Sequence, residues 1–184
     1  MKNKKYPIIC FEGVDGSGKT TLSKLLTKKL KGRYIKSPPD SIAKTRKLIG
    51  DANDDITFHH YVFGNSAAGL LAQGISKYKT VCLDRYHYST RVYHHNVLSR
   101  GAKIPILPKE NLIVYLSAEW SVIDKRLDER GDRKKHENLI NLKKIHNRYK
   151  KLFKNNKDVM YIDTSKNNIK ESLELILRRI NYEK

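Results

Sequence analysis

A glycine-rich segment near the start of the chain combines the residue types that bind phosphate. Residues 13–20 read Gly-Val-Asp-Gly-Ser-Gly-Lys-Thr and match the pattern G-x-x-x-x-G-K-[ST]. The glycines let backbone amides turn inward around anionic oxygens. We expect Lys19 to reach the β- and γ-phosphates of ATP and the Thr20 hydroxyl to ligate Mg²⁺. The predicted ATP site comprises Gly13, Asp15, Gly16, Ser17, Gly18, Lys19, Thr20 and Thr21.

An Asp-Arg pair follows a second apolar run. Asp84 and Arg85 come directly after residues 81–83, Val-Cys-Leu, which are typical of a buried strand. Ligands of open α/β sheets bind at the carboxyl edge of the strands, where both side chains would emerge. There Asp84 can hold Mg²⁺, and Arg85 can bind phosphate oxygens with two hydrogen bonds. A purely structural turn is the alternative, but the position after a buried strand favours a functional pair.

A third basic element lies in the second half of the chain. Arg126, Arg130 and Arg133 are spaced i, i+4 and i+7, so they share one face if a helix continues through Gly131. Arginines supplied by the same chain can stabilise a migrating phosphoryl group, and a closing segment excludes water. We therefore predict a catalytic lid over roughly residues 126–137, with a solvated charged face as the alternative. The predicted catalytic residues are Lys19, Arg85, Arg126, Arg130 and Arg133.

Short apolar strands alternate with amphipathic helices along the whole chain. Helices are predicted from Thr20 to about Gly32, over 54–76, over 137–153 and over 169–180, although three glycines weaken the second pattern. Such alternation predicts an α/β fold, with a parallel sheet covered by helices on both faces. Strands are predicted over residues 7–11, 33–36, 80–84, 111–116 and 159–162.

Composition narrows the class of protein further. The 184 residues suit one domain, and no apolar run approaches the length of a membrane span. The net charge of +19 comes from lysines scattered from end to end, without interleaved aromatics, so we expect small anionic substrates rather than nucleic acid. Cys10 and Cys82 lie in apolar strands without CxxC spacing, which predicts reduced thiols and a cytoplasmic location.

Taken together, these segments resemble the thymidylate kinase family of nucleoside monophosphate kinases. The resemblance implies a P-loop NTPase-type three-layer sandwich with a five-stranded parallel sheet, a basic lid, ATP and Mg²⁺, and usually a homodimer. It covers most of residues 1–184, as one nucleotide kinase domain. The matching segments, in chain order, are Phe11–Thr21, Asp84–Ser89, Val92–Tyr93, Arg126–Glu137, Tyr149 and Ile162–Asp163.

The resemblance also implies roles for residues that would contact the phosphoryl acceptor. Asp15 would contact the 3′-hydroxyl of the acceptor sugar, and Arg85 would bind the acceptor phosphate. Tyr93 would lie against the deoxyribose and disfavour a 2′-hydroxyl, and Phe63 is a further candidate contact. Because Gly16 stands where some members carry a basic residue, the catalytic arginines would come from the lid.

The chain departs from the family pattern in the acceptor segments. The loop after the second strand carries Ser37 or Asp40 where the family has an arginine that grips acceptor phosphate. The base-reading arginine of the family would fall near residues 65–68, which contain no basic side chain. We predict that Lys36 or Arg46, with Lys44 as another candidate, replaces the missing phosphate contact.

Three functions are compatible with these patterns. The leading hypothesis is a nucleoside monophosphate kinase that transfers the γ-phosphoryl of ATP to dTMP or a related deoxynucleotide. A deoxynucleoside kinase is the first alternative, with Asp40 as the base for a hydroxyl acceptor, and it would explain the missing arginine. The second alternative is an ATP-binding switch without a small acceptor. It predicts nucleic-acid binding with a steep dependence on salt.

Overall fold

A parallel sheet of five strands lies at the centre of the described part of the chain. The structure, a computed structural model, describes residues 6–49, 53–131, 133 and 137–182. Within these ranges, no helix combines the length and the apolar character that crossing a membrane requires. The strands lie in the order β2-β3-β1-β4-β5. They are Ile8–Gly13 (β1), Arg33–Lys36 (β2), Val81–Asp84 (β3), Leu112–Ser117 (β4) and Val159–Asp163 (β5).

Helices connect the strands and cover both faces of the sheet. The fold class predicted from the sequence is confirmed, and every strand bound lies within two residues of the prediction, with β2 matching at both ends. A 3₁₀ turn, Lys44–Lys47, follows the second helix. The α-helices are Lys19–Lys29 (α1), Asp40–Ala43 (α2), Asp54–Ile75 (α3), His87–Tyr93 (α4), His95–Ser99 (α5), Trp120–Arg130 (α6), Leu139–Leu152 (α7) and Ile169–Tyr182 (α8).

The side chains of β1 alternate between the two helical layers, as the pleat of a strand requires. Ile9 and Phe11 pack in one buried cluster with leucines of α1 and isoleucines of α8. Ile8 and Cys10 point to the other layer, where they pack with alanines of α3. On that second face, β4 also packs against α6 and α7. A sheet buried on both faces explains why its central strands are almost uniformly apolar.

Helix α3 is continuous despite its glycines, because two of them are points of close packing. A Cβ atom at Gly64 would lie 2.3 Å from Cβ of Pro38, and one at Gly69 would lie 2.1 Å from the Tyr86 hydroxyl. Each glycine therefore lets the helix backbone approach a neighbouring element more closely than alanine would allow. This contact outweighs the lower helix propensity of glycine, about 1 kcal/mol per residue.

The register of the sheet brings the two phosphate-binding motifs together. Phe11, two residues before the glycine-rich loop, pairs with Asp84 at the end of β3. On the other side, Gly13 pairs with Leu116 of β4. The loop after β1 and the Asp-Arg pair after β3 therefore leave the same edge of the sheet side by side, where ligands of such sheets bind.

Candidate active site

The glycine-rich loop between β1 and α1 adopts a conformation that needs its glycines. Gly13, Gly16 and Gly18 have φ angles of 145°, 80° and 92°, which side chains with a Cβ atom rarely adopt. At Gly13 a Cβ atom would also lie only 2.3 Å from the carbonyl oxygen of Leu116. Gly18 forms the N-terminal cap of α1, so the loop ends at the positive pole of a helix. The loop therefore has the backbone geometry of an anion site.

Lys19 is the buried cation of this loop. Its side chain is 6% exposed, and Nζ donates to the Val14 carbonyl at 2.7 Å and to Ser17 Oγ at 3.4 Å. Burial, together with the nearby Arg85, lowers the pKa of Lys19 to about 8. The ammonium is thus held inside the loop in a site that favours partial loss of its proton.

The lowered pKa predicts that the affinity for ATP depends on pH. The charged ammonium binds phosphate, so affinity should be full below about pH 8 and fall above it, by up to about tenfold per pH unit. KM for ATP measured from about pH 6.5 to about pH 9.5 tests this expectation. A Lys19→Ala variant should lack the alkaline increase in KM. A KM that stays constant across this range in the wild type would contradict the assignment.

Thr20 and Asp84 place two oxygen ligands at the mouth of the loop. The Thr20 hydroxyl donates to Asp84 Oδ2 at 2.6 Å, which leaves its lone pairs for a cation. The Tyr34 hydroxyl donates to the same oxygen at 2.8 Å, a contact that the sequence did not predict. Magnesium prefers hard oxygen ligands and is usually held by one or two protein groups together with substrate phosphates. These residues fit that ion.

Asp15, Arg85 and Tyr93 form a second cluster beside the loop. The carboxylate of Asp15 accepts from Arg85 Nη2 through one oxygen and from the Tyr93 hydroxyl, at 2.6 Å, through the other. Arg85 Nη1 also donates to the Gly13 carbonyl at 3.3 Å and to Ser89 Oγ at 2.9 Å. The guanidinium carbon lies 5.2 Å from the centre of the Tyr93 ring. The cluster therefore fixes a cation in a defined orientation next to the phosphate loop.

The lid arginines do not share one helical face. Helix α6 ends at Arg130 because Gly131 adopts a left-handed conformation, φ 75°, so the condition for a shared face, a helix that continues through Gly131, is not met. Arg133 instead forms ion pairs with Asp124 and Asp128 of α6. Residues 132 and 134–136 of the predicted lid lie outside the described residues.

The two arginines on α6 itself lie close to the phosphate loop. Arg126 donates to the Gly16 carbonyl at 3.2 Å and to Thr164 Oγ1 at 2.9 Å. Arg130 is paired with Glu137, whose side chain is only 2% exposed. Arg126 thus contacts the phosphate loop directly. Arg130 is oriented by the buried carboxylate of Glu137, which lies just before α7.

One cavity of about 950 Å³ brings most of the predicted residues together. The sequence did not predict the side of this cavity formed by the end of β5 and the start of α8, including Thr164, Asn167 and Ser172. Thr164 directly follows β5, so a polar residue after a predicted strand was the signal that could have found it. The predicted residues that line the cavity are Asp15, Gly16, Gly18, Lys19, Thr20, Thr21, Lys36, Asp84, Arg85, Arg126 and Arg130.

Other predicted acceptor contacts lie away from this cavity. Phe63 is 64% exposed on α3, and Arg46 lies in the 3₁₀ turn after α2. Asn65, also on α3, accepts from Ser37 and donates to Thr90, both at 2.8 Å. This buried network ties the loop after β2 to α3 and α4. The acceptor segment therefore has polar contacts of its own in the region where the family arginines are missing.

Comparison with known proteins identifies the family. The family model described as thymidylate kinase matches residues 11–176. The chain belongs to the thymidylate kinase family. The thymidylate kinase of Leptospira interrogans is 34% identical over 207 residues, covering 98% of each chain. A probable thymidylate kinase of Methanococcus aeolicus is 28% identical over 190 residues, covering 94% of each chain.

Solved structures confirm the fold of this thymidylate kinase family member. A thymidylate kinase from Candida albicans superposes with a TM-score of 0.81 at 19% identity and covers 97% of this chain and 92% of its own. A deoxyadenosine kinase from M. mycoides gives a TM-score of 0.69 at 18% identity, covering 95% of this chain and 99% of its own. Thymidylate kinase relatives that match over nearly the full length indicate that the chain is an ATP-dependent nucleotide kinase.

Proposed function

We propose that this chain transfers the γ-phosphoryl group of ATP to dTMP or a related deoxynucleoside monophosphate. The observation that supports this most directly is the position of two separate phosphate-binding cations, Lys19 and Arg85, in the wall of one cavity. Lys19 belongs to the loop that binds a triphosphate, while Arg85 is held beside it by Asp15 and Ser89. A kinase that transfers a phosphoryl group from one phosphorylated molecule to another needs a cation for the donor phosphates and a cation for the acceptor phosphate.

The reaction needs alignment and charge neutralisation rather than a general base. An oxygen of the acceptor phosphate forms a bond to the γ-phosphorus, the bond to the β–γ bridging oxygen breaks, and ADP leaves. Lys19 binds the β- and γ-phosphates, Arg85 binds the acceptor phosphate, and Arg126 and Arg130 stabilise the charge between them. Magnesium, held by Thr20 and Asp84, would supply further neutralisation of the phosphates when bound.

The contacts of the acceptor sugar follow from the cluster beside the loop. We assign Asp15 to the 3′-hydroxyl and Tyr93 to the face of the deoxyribose, where its ring leaves little room for a 2′-hydroxyl. The hydrogen bond between Tyr93 and Asp15 supports this assignment, because it holds both groups in one place. Lys36, which lines the cavity, is the candidate for the missing phosphate contact, with Arg46 and Phe63 as outer contacts of the acceptor.

A test with paired acceptors separates this proposal from the deoxynucleoside kinase alternative. We expect release of ADP with ATP, Mg²⁺ and dTMP, and only background release with thymidine. Asp40 is exposed at the start of α2, and Asp40→Asn should leave turnover of dTMP within about twofold, because a phosphate acceptor needs no base. Phosphorylation of thymidine alone, abolished by Asp40→Asn, would overturn the proposal in favour of the alternative.

The remaining proposals concern the molecule as a whole. We propose one nucleotide kinase domain over residues 1–184, in a reducing cytoplasm that suits two free, buried cysteines. We also propose a homodimer, because Ile56, Leu70 and Leu71 on α3 are each at least half exposed. The mass in solution tests the dimer, and a monomer at micromolar concentration would contradict it.

A further inference from the structure

A buried glutamate lies directly before the phosphate loop, and none of the predicted roles uses it. Glu12 at the end of β1 is 0% exposed. Its Oε1 accepts from the backbone amides of Tyr86 at 2.8 Å and Ser89 at 3.2 Å, both at the start of α4. Its Oε2 accepts from the hydroxyls of Ser89 at 2.6 Å and Tyr149 at 2.7 Å. One carboxylate thus joins β1, α4 and α7.

Core packing alone does not explain a carboxylate at this position. Burial raises the pKa of Glu12, opposed by its hydrogen bonds to Ser89 and Tyr149 and by the nearby Arg85. A buried charge is weak evidence for stability, because removal from water offsets much of what its partners contribute. The role of the Glu12 carboxylate must therefore be sought in the groups that donate hydrogen bonds to it.

The hydroxyl of Ser89 transmits the orientation of this carboxylate to Arg85. A serine hydroxyl has one hydrogen, and the contact of 2.6 Å with Glu12 takes it. The oxygen then presents its lone pairs to Arg85 Nη1, which donates to it at 2.9 Å. The guanidinium is consequently held from three sides, by Ser89, by the Gly13 carbonyl and by Asp15.

The same carboxylate fixes the helix that carries Tyr93. Helix α4 has no side-chain cap of its own, and Glu12 accepts the amides of its first turn from the neighbouring strand. At the other end, Arg148 of α7 donates to the Val92 carbonyl at 2.8 Å. An anion at the N-terminus and a cation at the C-terminus both complement the helix dipole. Helix α4 is therefore held at both ends.

We infer that Glu12 is a positioning residue for the phosphoryl acceptor, acting through Ser89 on Arg85 and through the start of α4 on Tyr93. The inference rests on the proposed function, because it takes Arg85 and Tyr93 as the acceptor contacts. It assigns no contact with ATP to Glu12. Loss of the carboxylate charge should therefore change the kinetics of the acceptor far more than those of the donor.

The test compares Glu12→Gln with Glu110→Gln. Glu110 is a matched control, since it is 2% exposed and accepts from the Tyr88 hydroxyl of the same helix at 2.5 Å. We expect E12Q to lower kcat/KM for dTMP at least about tenfold, the scale of a lost hydrogen bond to a charged group, and to leave KM for ATP within about twofold. E110Q should leave both parameters within about twofold.

A second variant covers the case in which E12Q does not fold. Ser89→Ala removes the hydroxyl that bonds both Glu12 and Arg85, and it keeps the backbone contacts of Glu12, so it should shift the acceptor kinetics in the same direction. Equal changes for ATP and dTMP, or acceptor kinetics that match those of E110Q, would overturn the inference. If the wild type phosphorylates thymidine instead of dTMP, the proposed function fails. The comparison is then made with thymidine, and unchanged acceptor kinetics in E12Q and S89A again overturn the inference.

Discussion

Alanine at Lys19 is expected to lower kcat/KM for ATP about 1,000-fold, the largest effect of any substitution considered for this protein. The ammonium is the buried cation of the phosphate loop, and no other lysine of α1 is buried. Its loss leaves the triphosphate without a charge-assisted partner inside the loop, where low dielectric makes that partner strong. Steady-state kinetics measure kcat/KM for ATP, and calorimetry measures the Kd for Mg²⁺·ADP.

The control for this experiment lies on the same helix. Lys28 is exposed near the end of α1, and Lys28→Ala should leave both measurements within about twofold. Melting temperatures should show that K19A folds, because the substitution removes a charge that burial disfavours. Unchanged nucleotide affinity and turnover in a folded K19A protein would overturn the assignment of the whole site.

Removal of Arg126 or Arg130 is expected to lower kcat about 100-fold, as loss of one preorganised cation does elsewhere. Both side chains line the cavity, so both can reach the phosphoryl group as it moves. Arg133, predicted as catalytic from its spacing, is paired with Asp124 and Asp128, and we expect Arg133→Ala to have the smallest effect of the three. Single-turnover kinetics at saturating substrates measure the chemical step directly.

The matched control for the lid is Lys125→Ala. Lys125 is exposed on α6 and pairs with the exposed Glu129, so kcat should stay within about twofold. Comparable losses for K125A and R130A would show that the lid acts through general charge rather than through placed cations. If R126A and R130A each kept a kcat near that of the wild type, the catalytic lid would be wrong.

The local motifs explain why much of the fold and part of the site could be predicted from the sequence. The glycine-rich loop carries its chemistry within eight consecutive residues, from Gly13 to Thr20. Asp84 was predictable because a polar residue directly after a buried strand must emerge at the sheet edge. Strand bounds followed from apolar runs, since a sheet buried on both faces leaves little room for polar side chains.

The parts that could not be predicted depend on contacts between distant segments. In the sequence, Glu12 is one polar residue at the end of an apolar strand. Only the fold shows that the hydroxyls of Ser89 and Tyr149 both donate to its carboxylate. The spacing of the lid arginines would place them on one helical face, but the left-handed backbone at Gly131 ends the helix before Arg133. The glycines of α3 lowered the expectation of a helix, because close approach to Pro38 and Tyr86 is a tertiary effect.

The bonds across the cavity also determine when during synthesis the chain becomes able to retain nucleotide. Arg126 lies over Gly16 although the two are 110 positions apart, and Thr20 meets Asp84 across 64 positions. A nascent polypeptide that ends before α6 contains the entire glycine-rich segment but lacks the arginine above it. Bound nucleotide should therefore stabilise chains in which α6 has folded onto the glycine-rich loop more than shorter nascent chains. Cellular ATP would then favour the folded protein over partly folded intermediates.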